Sequence, residues 1–539
     1  MDNNEALVNQ AFFVLSKYNE CSDVITEDDG VCFVFNEKKY KVWMFDDRYS
    51  LPLITAADNN DDYPHYLCNE WKFKGETHRL ICLFEENGYV NTILSIEEKI
   101  KMVVDRLIEL GSLSRAEIEN EFQKEFPLYW DAAVRPNSKS FNLYLSEDND
   151  YAWLQQFTYK FETRVAKGLD MFNDAKNSMG KNKIPALFVK ITDKSGLLPP
   201  LSDKPWDARK INEILNGAQV QRISPEAHKE LLRTSYSYKS LLLIFNFDVY
   251  YFACEVEFKN PGTEKLIRKI EKSIVGVSIL NINRCDFRFL SQQIGNDDLL
   301  LDKTVLVVGA GSLGSYVAEE LIKAGCKTLT IADGDRFEPQ NLLRHKLPFR
   351  YTRIIKSEGM SVKLQSIHPE ISVKCLNTNL SADDLENELS SGIDCIIFTI
   401  GKSDTQLKLN QFLHGIRCAI PVIYSWLEGD GMSSHSLCVS YKKQGCFECL
   451  FTDDDGNMVN NKVNMAANHD VRFLRGSCGG ARVAYGSSTL LTATRMTLTA
   501  LRRSLSDPDF STCLHSFTGD NFTSRSPFFS MRCRCCDDN

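Results

Sequence analysis

Hydrophobic and polar positions follow a changing period along the first 150 residues. Short β-like runs, such as VCFVFN, KVWMF and RLICLF, precede a segment at 95–111 in which apolar residues recur at helical spacing. Gly111 follows the last of these residues, Leu110, as a stop signal. A second helix is predicted in AEIENEFQKEF. Strands followed by helices indicate an α+β domain over residues 1–150.

The alternation of hydrophobic and polar positions is weaker between residues 151 and 290. LLPPLSDKPW, at 197–206, is typical of a turn-rich loop. SLLLIFNFDVYYFACEVEF, at 240–258, predicts a strand or a hairpin. We interpret residues 151–290 as a mixed α/β connecting domain that positions its neighbours.

From about residue 300 onward, strand-like and helix-like segments alternate. KTVLVVG, TLTIADG and DCIIFTIG are predicted strands, and SYVAEELIKAG is a predicted helix. This alternation is typical of an α/β fold with a doubly wound, mainly parallel sheet, whose ligand crevice lies at the strand ends. We assign residues 291–539 to this Rossmann-like domain.

Composition narrows the class of protein. The 539 residues favour about three domains, and 43% hydrophobic with 25% charged residues is ordinary for a globular protein. A net charge of −9 argues against a nucleic-acid partner, and no apolar run reaches the ~18 residues of a membrane span. Without a visible export signal, we expect a cytoplasmic protein whose 18 cysteines are reduced. Any cysteine chemistry should then be catalytic or metal-binding.

The stretch VLVVGAGSLGS carries a dinucleotide-binding fingerprint. Gly309, Gly311 and Gly314 allow a tight turn that brings backbone N–H groups of a helix against a phosphate. Asp333 follows nineteen residues after the last glycine, where it can accept hydrogen bonds from ribose hydroxyls. NAD enzymes, methyltransferases and ATP enzymes share this set, so it identifies a nucleotide but not the nucleotide's chemistry.

The residues that follow favour ATP. Asn341, Arg344 and Lys356 occur in one segment, within a basic cluster. Arginine and lysine beside a nucleotide suit phosphate oxygens whose charge shifts during transfer. A solvated basic loop or a nucleic-acid contact is the alternative interpretation of the same charges.

Together, the glycines, Asp-x-Asp, Asn-Leu-x-Arg and the downstream lysine resemble the adenylating domain of ubiquitin-activating enzymes and their bacterial ThiF-like relatives. The resemblance implies that Asp333, Asn341, Arg344 and Lys356 bind ATP, with the arginine and the lysine on the phosphates. These enzymes also use Mg²⁺, held by an aspartate after the next strand. In this chain Gly401 falls at that place, and Asp404 is the candidate replacement.

Cys478 is the candidate nucleophile of this domain. It lies between glycines, before the predicted helix TLLTATRMTLTALRRSL, and Arg475 and Arg482 are close in sequence. A helix N-terminus and neighbouring cations favour the thiolate. A semi-buried structural thiol is the alternative. The resemblance adds weight, because related activating enzymes place a thioester cysteine in a similar Cys-Gly…Tyr-Gly context.

Two further pairs of cysteines have the spacing of metal ligands. Cys446 and Cys449, with Cys533 and Cys536, form two knuckles that together supply the four thiolates of a structural Zn²⁺ site. The pairs are 84 residues apart, which suits a clip that fixes the C-terminus to the domain. Cys535 is a spare thiol that leaves the ligand set open, and four reduced thiols without metal are the alternative.

The first domain resembles a ubiquitin-conjugating enzyme around Tyr63-Pro64-His65 and Cys82-Leu83. The resemblance implies that the first stretch stands for the His-Pro-Asn turn and that Cys82 is the conjugating nucleophile. Cys68 competes for this role, and a core thiol in a strand is the alternative for Cys82.

A conjugating-like domain ahead of an activating-like domain resembles the conjugation proteins of CBASS antiphage operons. That resemblance implies ATP-dependent adenylation of the C-terminal carboxylate of a cGAS/DncV-like nucleotidyltransferase, thioesters on Cys478 and then Cys82, and transfer to an amine on a target. A homodimer is expected. An NAD(P)-dependent oxidoreductase and a non-catalytic adaptor that retains the folds remain as alternatives.

Overall fold

The chain forms two compact units, one drawn from the first 284 residues and one formed by Cys285–Asn539. The computed structural model describes residues 3–44, 50–57, 64–73, 76–84, 94–134, 138, 140–145, 151–159, 162–166, 184–201, 204–216, 240–247, 250–259, 274–464, 473–475 and 481–537. Among these residues, no helix is both long and apolar enough to cross a membrane.

The N-terminal part of the first unit is a sheet flanked by helices. The strand order is β1-β2-β3-β4-β6-β5, with antiparallel neighbours. The elements are α1 (Asn3–Leu15), β1 (Ser22–Glu27), β2 (Gly30–Phe35), β3 (Lys38–Trp43), β4 (Leu53–Ala56), β5 (Tyr66–Phe73), β6 (Glu76–Ile81) and α2 (Ile96–Gly111). Apolar residues of α1 and α2 share one core with β2 and β3. The predicted helix at 95–111 is confirmed, and Ser95 caps it.

The second predicted helix, at 116–126, is confirmed as α3 (Arg115–Lys124). A further helix, α4 (Phe126–Ala133), follows it, with Glu125 between them. Pro127 lies in the first turn of α4, where its missing N–H is tolerated; inside one continuous helix it would remove a hydrogen bond. This break places Glu125 outside regular helical geometry, which matters for the groove described below.

The rest of the first unit is a seven-stranded sheet that closes on itself in the order β10-β11-β12-β13-β7-β9-β8. Its elements are β7 (Ser140–Tyr144), β8 (Tyr151–Tyr159), β9 (Glu162–Ala166), β10 (Ile184–Lys190), α5 (Ala208–Asn216), β11 (Ser240–Phe247), β12 (Tyr250–Phe258) and β13 (Ile274–Arg284). The hairpin predicted at 240–258 is confirmed as β11 and β12. β7 lies within the predicted first domain in sequence but pairs with β9 and β13 of the connecting region.

The second unit is an α/β fold, as predicted. Its main sheet has the order β16-β15-β14-β17-β18-β19-β22-β23, and β14 to β18 are parallel where they pair. Its elements are α6 (Phe287–Gln293), β14 (Thr304–Val308), α7 (Ser312–Lys323), β15 (Thr328–Ala332), α8 (Lys356–Gln365), β16 (Ser372–Leu376), α9 (Ala382–Ser390), β17 (Cys395–Phe398), α10 (Ser403–Gly415), β18 (Val422–Leu427), β19 (Ser433–Val439), β20 (Phe473–Arg475), β21 (Ala481–Val483), α11 (Ser487–Ser506), β22 (Cys513–Thr518), β23 (Asn521–Arg525) and α12 (Arg534–Asp537). The carboxyl ends of β14, β15 and β17 meet at one edge of this sheet, which is where such folds bind ligands.

Candidate functional site

The turn between β14 and α7 can only be built with glycine at two positions. Gly309 has φ +95°, and a Cβ there would lie 2.6 Å from Cγ2 of Ile400. A Cβ on Gly314 would lie 1.8 Å from the carbonyl oxygen of Gly309. Gly311 precedes α7, and no side chain caps the first turn of that helix. The N–H groups in the first turn of α7 can therefore donate to an anion such as a phosphate, whereas the N–H groups of Gly309 and Ala310 are already bonded within the protein.

We expect Gly314→Ala to destabilise the second unit by about 4 kcal/mol or more, because the added methyl group overlaps the turn's own backbone. Gly311→Ala is the matched control. Its Cβ would meet no heavy atom within 4 Å, so we expect a loss of about 1 kcal/mol or less. Calorimetric melting of both variants is the measurement, and equal melting temperatures would contradict this turn geometry.

Asp333, just after β15, holds the glycine turn. Its Oδ2 accepts the N–H of Ala310 at 2.7 Å, and its Oδ1 accepts the N–H of Asp335 at 2.8 Å. Burial raises the pKa of this carboxyl above its ordinary value, and the nearby Lys356 opposes the rise. Each oxygen retains a second lone pair, so the carboxylate can still accept a hydrogen bond from a ribose hydroxyl.

Lys356 is the first residue of α8, and its ammonium is nearly buried. Its Nζ lies 3.0 Å from Oδ2 of Asp335, whose side chain is mostly exposed. A cation held by an exposed carboxylate can exchange that partner for a phosphate oxygen with little movement of the backbone. The role of Lys356 on the phosphates stays a prediction.

Arg344 ends the 3₁₀ turn Pro339–Arg344 and reaches the start of α7. Its Nη1 donates to Oγ of Ser312 at 2.8 Å and to the hydroxyl of Tyr485 at 3.2 Å. Its Nε is buried and has no acceptor among the described residues. A buried N–H without an acceptor is costly, and a phosphate oxygen at the N-terminus of α7 would satisfy it.

Asn341 lies in the same 3₁₀ turn and is buried. Its side-chain oxygen accepts the N–H of Glu338 at 2.9 Å, so this atom shapes the turn that carries Arg344. The predicted contact of Asn341 with ATP stays a prediction that involves its amide NH₂ group.

Sequence analysis missed the role of His345. Its Nδ1 accepts the N–H of Leu347 at 3.0 Å, so its Nε2 carries the proton and donates to the carbonyl of Ala310 at 2.7 Å. Burial lowers the pKa of His345 to about 4, with Lys356 and Arg344 acting in the same direction. A neutral ring therefore holds the glycine turn. In the sequence, His345 is one of several basic residues in a row, and nothing there indicates that it bonds to the glycine turn.

The expected magnesium aspartate is replaced by Gly401, just beyond β17. A Cβ there would meet nothing within 4 Å, so no steric demand explains the glycine. Asp404 lies in the first turn of α10 and is exposed. Neither observation assigns a magnesium ligand, and the role of Asp404 stays a prediction.

Cys478 lies outside the described residues. On either side of it, β20 and β21 pair as antiparallel strands, with Arg475 opposite Ala481. α11 begins only at Ser487, after Gly486 as its N-cap. The expected position of Cys478 directly before a helix therefore needs correction, because β21 lies between them in sequence.

The four predicted zinc ligands come together. The Sγ of Cys446 lies 4.0 Å from that of Cys449 and 3.7 Å from that of Cys533, and the Sγ atoms of Cys449 and Cys536 are 3.8 Å apart. A tetrahedron with Zn–S bonds of about 2.3 Å has S–S edges of about 3.8 Å. The four thiols lie within 4.8 Å of one another and fit the ion. Cys535 lies outside this set of four, although its Sγ accepts a hydrogen bond from Asn410 and also contacts Cys446.

In the first unit, Cys82 lines a groove of about 1110 Å³ between α2 and α3. It follows β6 directly, and its N–H donates to the carbonyl of His65 at 2.8 Å. The backbone of Cys68 lies in β5, and its side chain is outside the described residues. Tyr63 is also outside them. Pro64 and His65 are thus the described part of the predicted turn, and they lie beside Cys82.

A sequence profile of the ThiF family matches residues 290–535. The sulfur carrier protein ThiS adenylyltransferase of Escherichia coli (strain K12) is 30% identical over 182 residues, which is 32% of this chain and 70% of that protein. The chain belongs to the ThiF family. Its membership rests on the unit that contains the glycine turn, Arg344 and the four cysteines.

Two further relatives are similar to this chain over longer stretches. The ATP-dependent ubiquitin transferase-like protein Cap2 of Pseudomonas aeruginosa (strain BWHPSA011 / Pa011) is 26% identical over 295 residues, or 50% of this chain. The chain spans about half the length of that relative, 52%. Cap2 of Vibrio cholerae serotype O1 is 22% identical over 415 residues, 69% of this chain and 68% of that protein.

The solved structure of E. coli MccB with ATP has a TM-score of 0.35 at 19% identity, covering 46% of this chain and 72% of MccB.

Proposed function

We propose that this chain is an ATP-dependent protein-conjugating enzyme. It adenylates the C-terminal carboxylate of a partner protein, a cGAS/DncV-like nucleotidyltransferase, and passes the acyl group to Cys478 and then to Cys82. An amine on a target finally receives it. The observation that carries the proposal is Arg344, held at the start of α7 beside the glycine turn, whose buried Nε–H meets no acceptor in the described part of the chain.

The chemistry follows from these groups. The carboxylate attacks the α-phosphorus of ATP, an acyl-adenylate forms, and pyrophosphate leaves. Arg344, Lys356 and the N–H groups of the glycine turn hold the charge of the phosphates. The thiolate of Cys478 then attacks the acyl carbon and AMP leaves, and thiol exchange gives the thioester on Cys82. The amine displaces this thiolate, forming the amide and releasing its proton to water. Mg²⁺ offsets phosphate charge when it is bound.

The proposal includes a homodimer and a cytoplasmic setting. Leu343 and Phe349 flank the Arg344 turn with side chains that are 98% and 71% exposed, which supports an interface between copies of the chain. No disulfide links any of the described cysteines, which supports a reducing compartment.

We expect an ATP-dependent covalent adduct when the chain is incubated with the proposed partner, a cGAS/DncV-like nucleotidyltransferase. The adduct should run at the summed mass on a gel and disappear with thiol reductant, because a thioester exchanges with thiols. In Cys478→Ala the adduct should be lost. In Cys82→Ala the Cys478 adduct should persist while transfer to amines stops, and Cys375→Ala is the matched control.

An adduct on Cys68 in place of Cys82 would refute the assignment of the conjugating thiol. If ATP gave no adduct in the unchanged chain or in any variant, the chain would be a non-catalytic adaptor and not an enzyme. Gly401, in place of the expected magnesium aspartate, is the observation that favours this second candidate.

A further inference from the structure

His65 is connected to Cys82 through the backbone of the β5–β6 hairpin. It directly precedes β5, has φ +70°, and is 7% exposed. Its carbonyl accepts the N–H of Cys82 at 2.8 Å, which extends the hairpin by one pair beyond Tyr66 and Ile81. The position of residue 65 therefore sets the position of the thiol.

The ring of His65 lies between two carboxylates. Its Nε2 lies 3.1 Å from Oε2 of Glu121 in a hydrogen bond, and its Nδ1 lies 2.6 Å from Oε1 of Glu125 in an ion-pair contact that lacks hydrogen-bond geometry. An ionised carboxylate only accepts hydrogen bonds, and a neutral imidazole has a single N–H. Both contacts are favourable together only when the ring is an imidazolium. We name Glu121 and Glu125 the carboxylate clamp.

The surrounding charges do not cancel this effect. Burial alone would lower the pKa of His65, but Glu125 and Glu121 outweigh it and raise the pKa above its ordinary value. Lys124, at 2.6 Å, and Arg106, at 3.9 Å, compete for Glu121. The other charged groups that line the groove, all on α2, are Glu98, Lys101, Asp105 and Glu109.

We propose that His65 is a positioning residue for the thiol of Cys82, held as an imidazolium by the carboxylate clamp. The inference rests on the proposed function because it takes Cys82 as the thiol that carries the acyl group. At pH values below the ordinary histidine pKa of about 6.5, the clamp makes its full contribution to the stability of the hairpin. This contribution is lost as the pH rises through the higher pKa of the folded protein, since deprotonation leaves one nitrogen lone pair facing a carboxylate.

Hydrogen–deuterium exchange of the peptide that contains Cys82, in the full chain without partner or ATP, tests the clamp. After correction for intrinsic exchange, we expect protection to fall about tenfold or more as the pH rises through a midpoint above about 6.5. In Glu121→Gln/Glu125→Gln the midpoint should move to lower pH. Glu119→Gln on α3, whose carboxylate pairs with the exposed Arg115, should leave the midpoint unchanged.

His65→Asn is the second variant, because asparagine tolerates positive φ but carries no charge. It should show low protection of Cys82 at every pH. If the double variant does not fold, Glu125→Gln alone should move the midpoint in the same direction by a smaller amount. An unchanged midpoint in these glutamine variants would overturn the proposal, because a purely structural role lowers protection without moving the midpoint.

Transfer from Cys82 to free lysine supplies the functional measurement. We expect the pH at which the single-turnover rate declines to move with the exchange midpoint in the glutamine variants. A thioester on Cys82 with an unmoved midpoint would refute the clamp while the proposed function stands. A shifted midpoint in a chain that never forms a thioester would refute the proposed function and leave the clamp established as a hairpin contact.

Discussion

Arg344→Ala is expected to lower ATP–pyrophosphate exchange, measured with the proposed nucleotidyltransferase partner, by about a hundredfold or more. The guanidinium is already fixed by Ser312 and Tyr485, so the proposed contact with the phosphates needs no further ordering of the side chain. Removing a preorganised donor to developing charge costs more than removing a mobile surface charge. Since the proposed contact of Arg344 with phosphate also forms in the ground state, KM for ATP should rise along with the loss in kcat.

Arg350→Ala is the matched control for this prediction. Arg350 lies in the same basic segment but is exposed and stacks on Tyr351, away from the Ser312 contact. We expect exchange within about twofold of the unchanged chain. Calorimetric melting of both variants separates loss of activity from loss of fold. Equal exchange rates in the two variants would show that Arg344 does not contact the phosphates.

The fold of the second unit could largely be predicted from the sequence. The strands β14, β15 and β17 are short apolar runs bounded by glycine or aspartate, and a buried parallel strand has that pattern because both of its faces are covered. The glycine turn was predictable for a similar reason, since a Cβ on Gly314 would overlap the backbone of Gly309.

The closed sheet of the first unit was not predictable in the same way. β7 is separated by more than a hundred residues from β13, its parallel partner, and no local pattern specifies such a pair. The hairpin of β11 and β12 was predictable because its two strands are neighbours in sequence. Local pairs follow from the chain itself, whereas distant pairs depend on the whole core.

The same distinction holds for the candidate sites. Arg344 could be named from its segment, but its contact with Tyr485 spans 141 residues. His65 could be placed in a turn, yet the two carboxylates that contact its ring are distant in sequence. Glu121 lies in α3, 56 residues later, and Glu125 lies between α3 and α4. The sequence predicts which residue types are present, and tertiary packing decides which atoms meet.

Cys446→Ser is expected to remove one bound zinc ion per chain and to lower the melting temperature of the second unit by about 10 °C. The four thiols lie at the edges of a zinc tetrahedron, and Cys446, Cys449 and Cys533 are part of the buried core beside Phe447 and Phe528. Loss of the ion would leave three thiolates close together in an apolar environment, which is unfavourable.

Cys535→Ser tests whether Cys535, the neighbour of Cys536 in sequence, is a zinc ligand. Cys535 adjoins Cys536 and also contacts Cys446, but it lies outside the set of four thiols that fit the ion, so this variant should keep its zinc and its melting temperature. Zinc content by atomic absorption, measured on purified protein before and after dialysis against a strong chelator, gives the ion count independently of activity. If the zinc content fell equally in both variants, the ligand set would include Cys535. If neither variant nor the unchanged chain held zinc, the four thiols would be a reduced cluster, and the C-terminal segment would be held by core packing around Phe528.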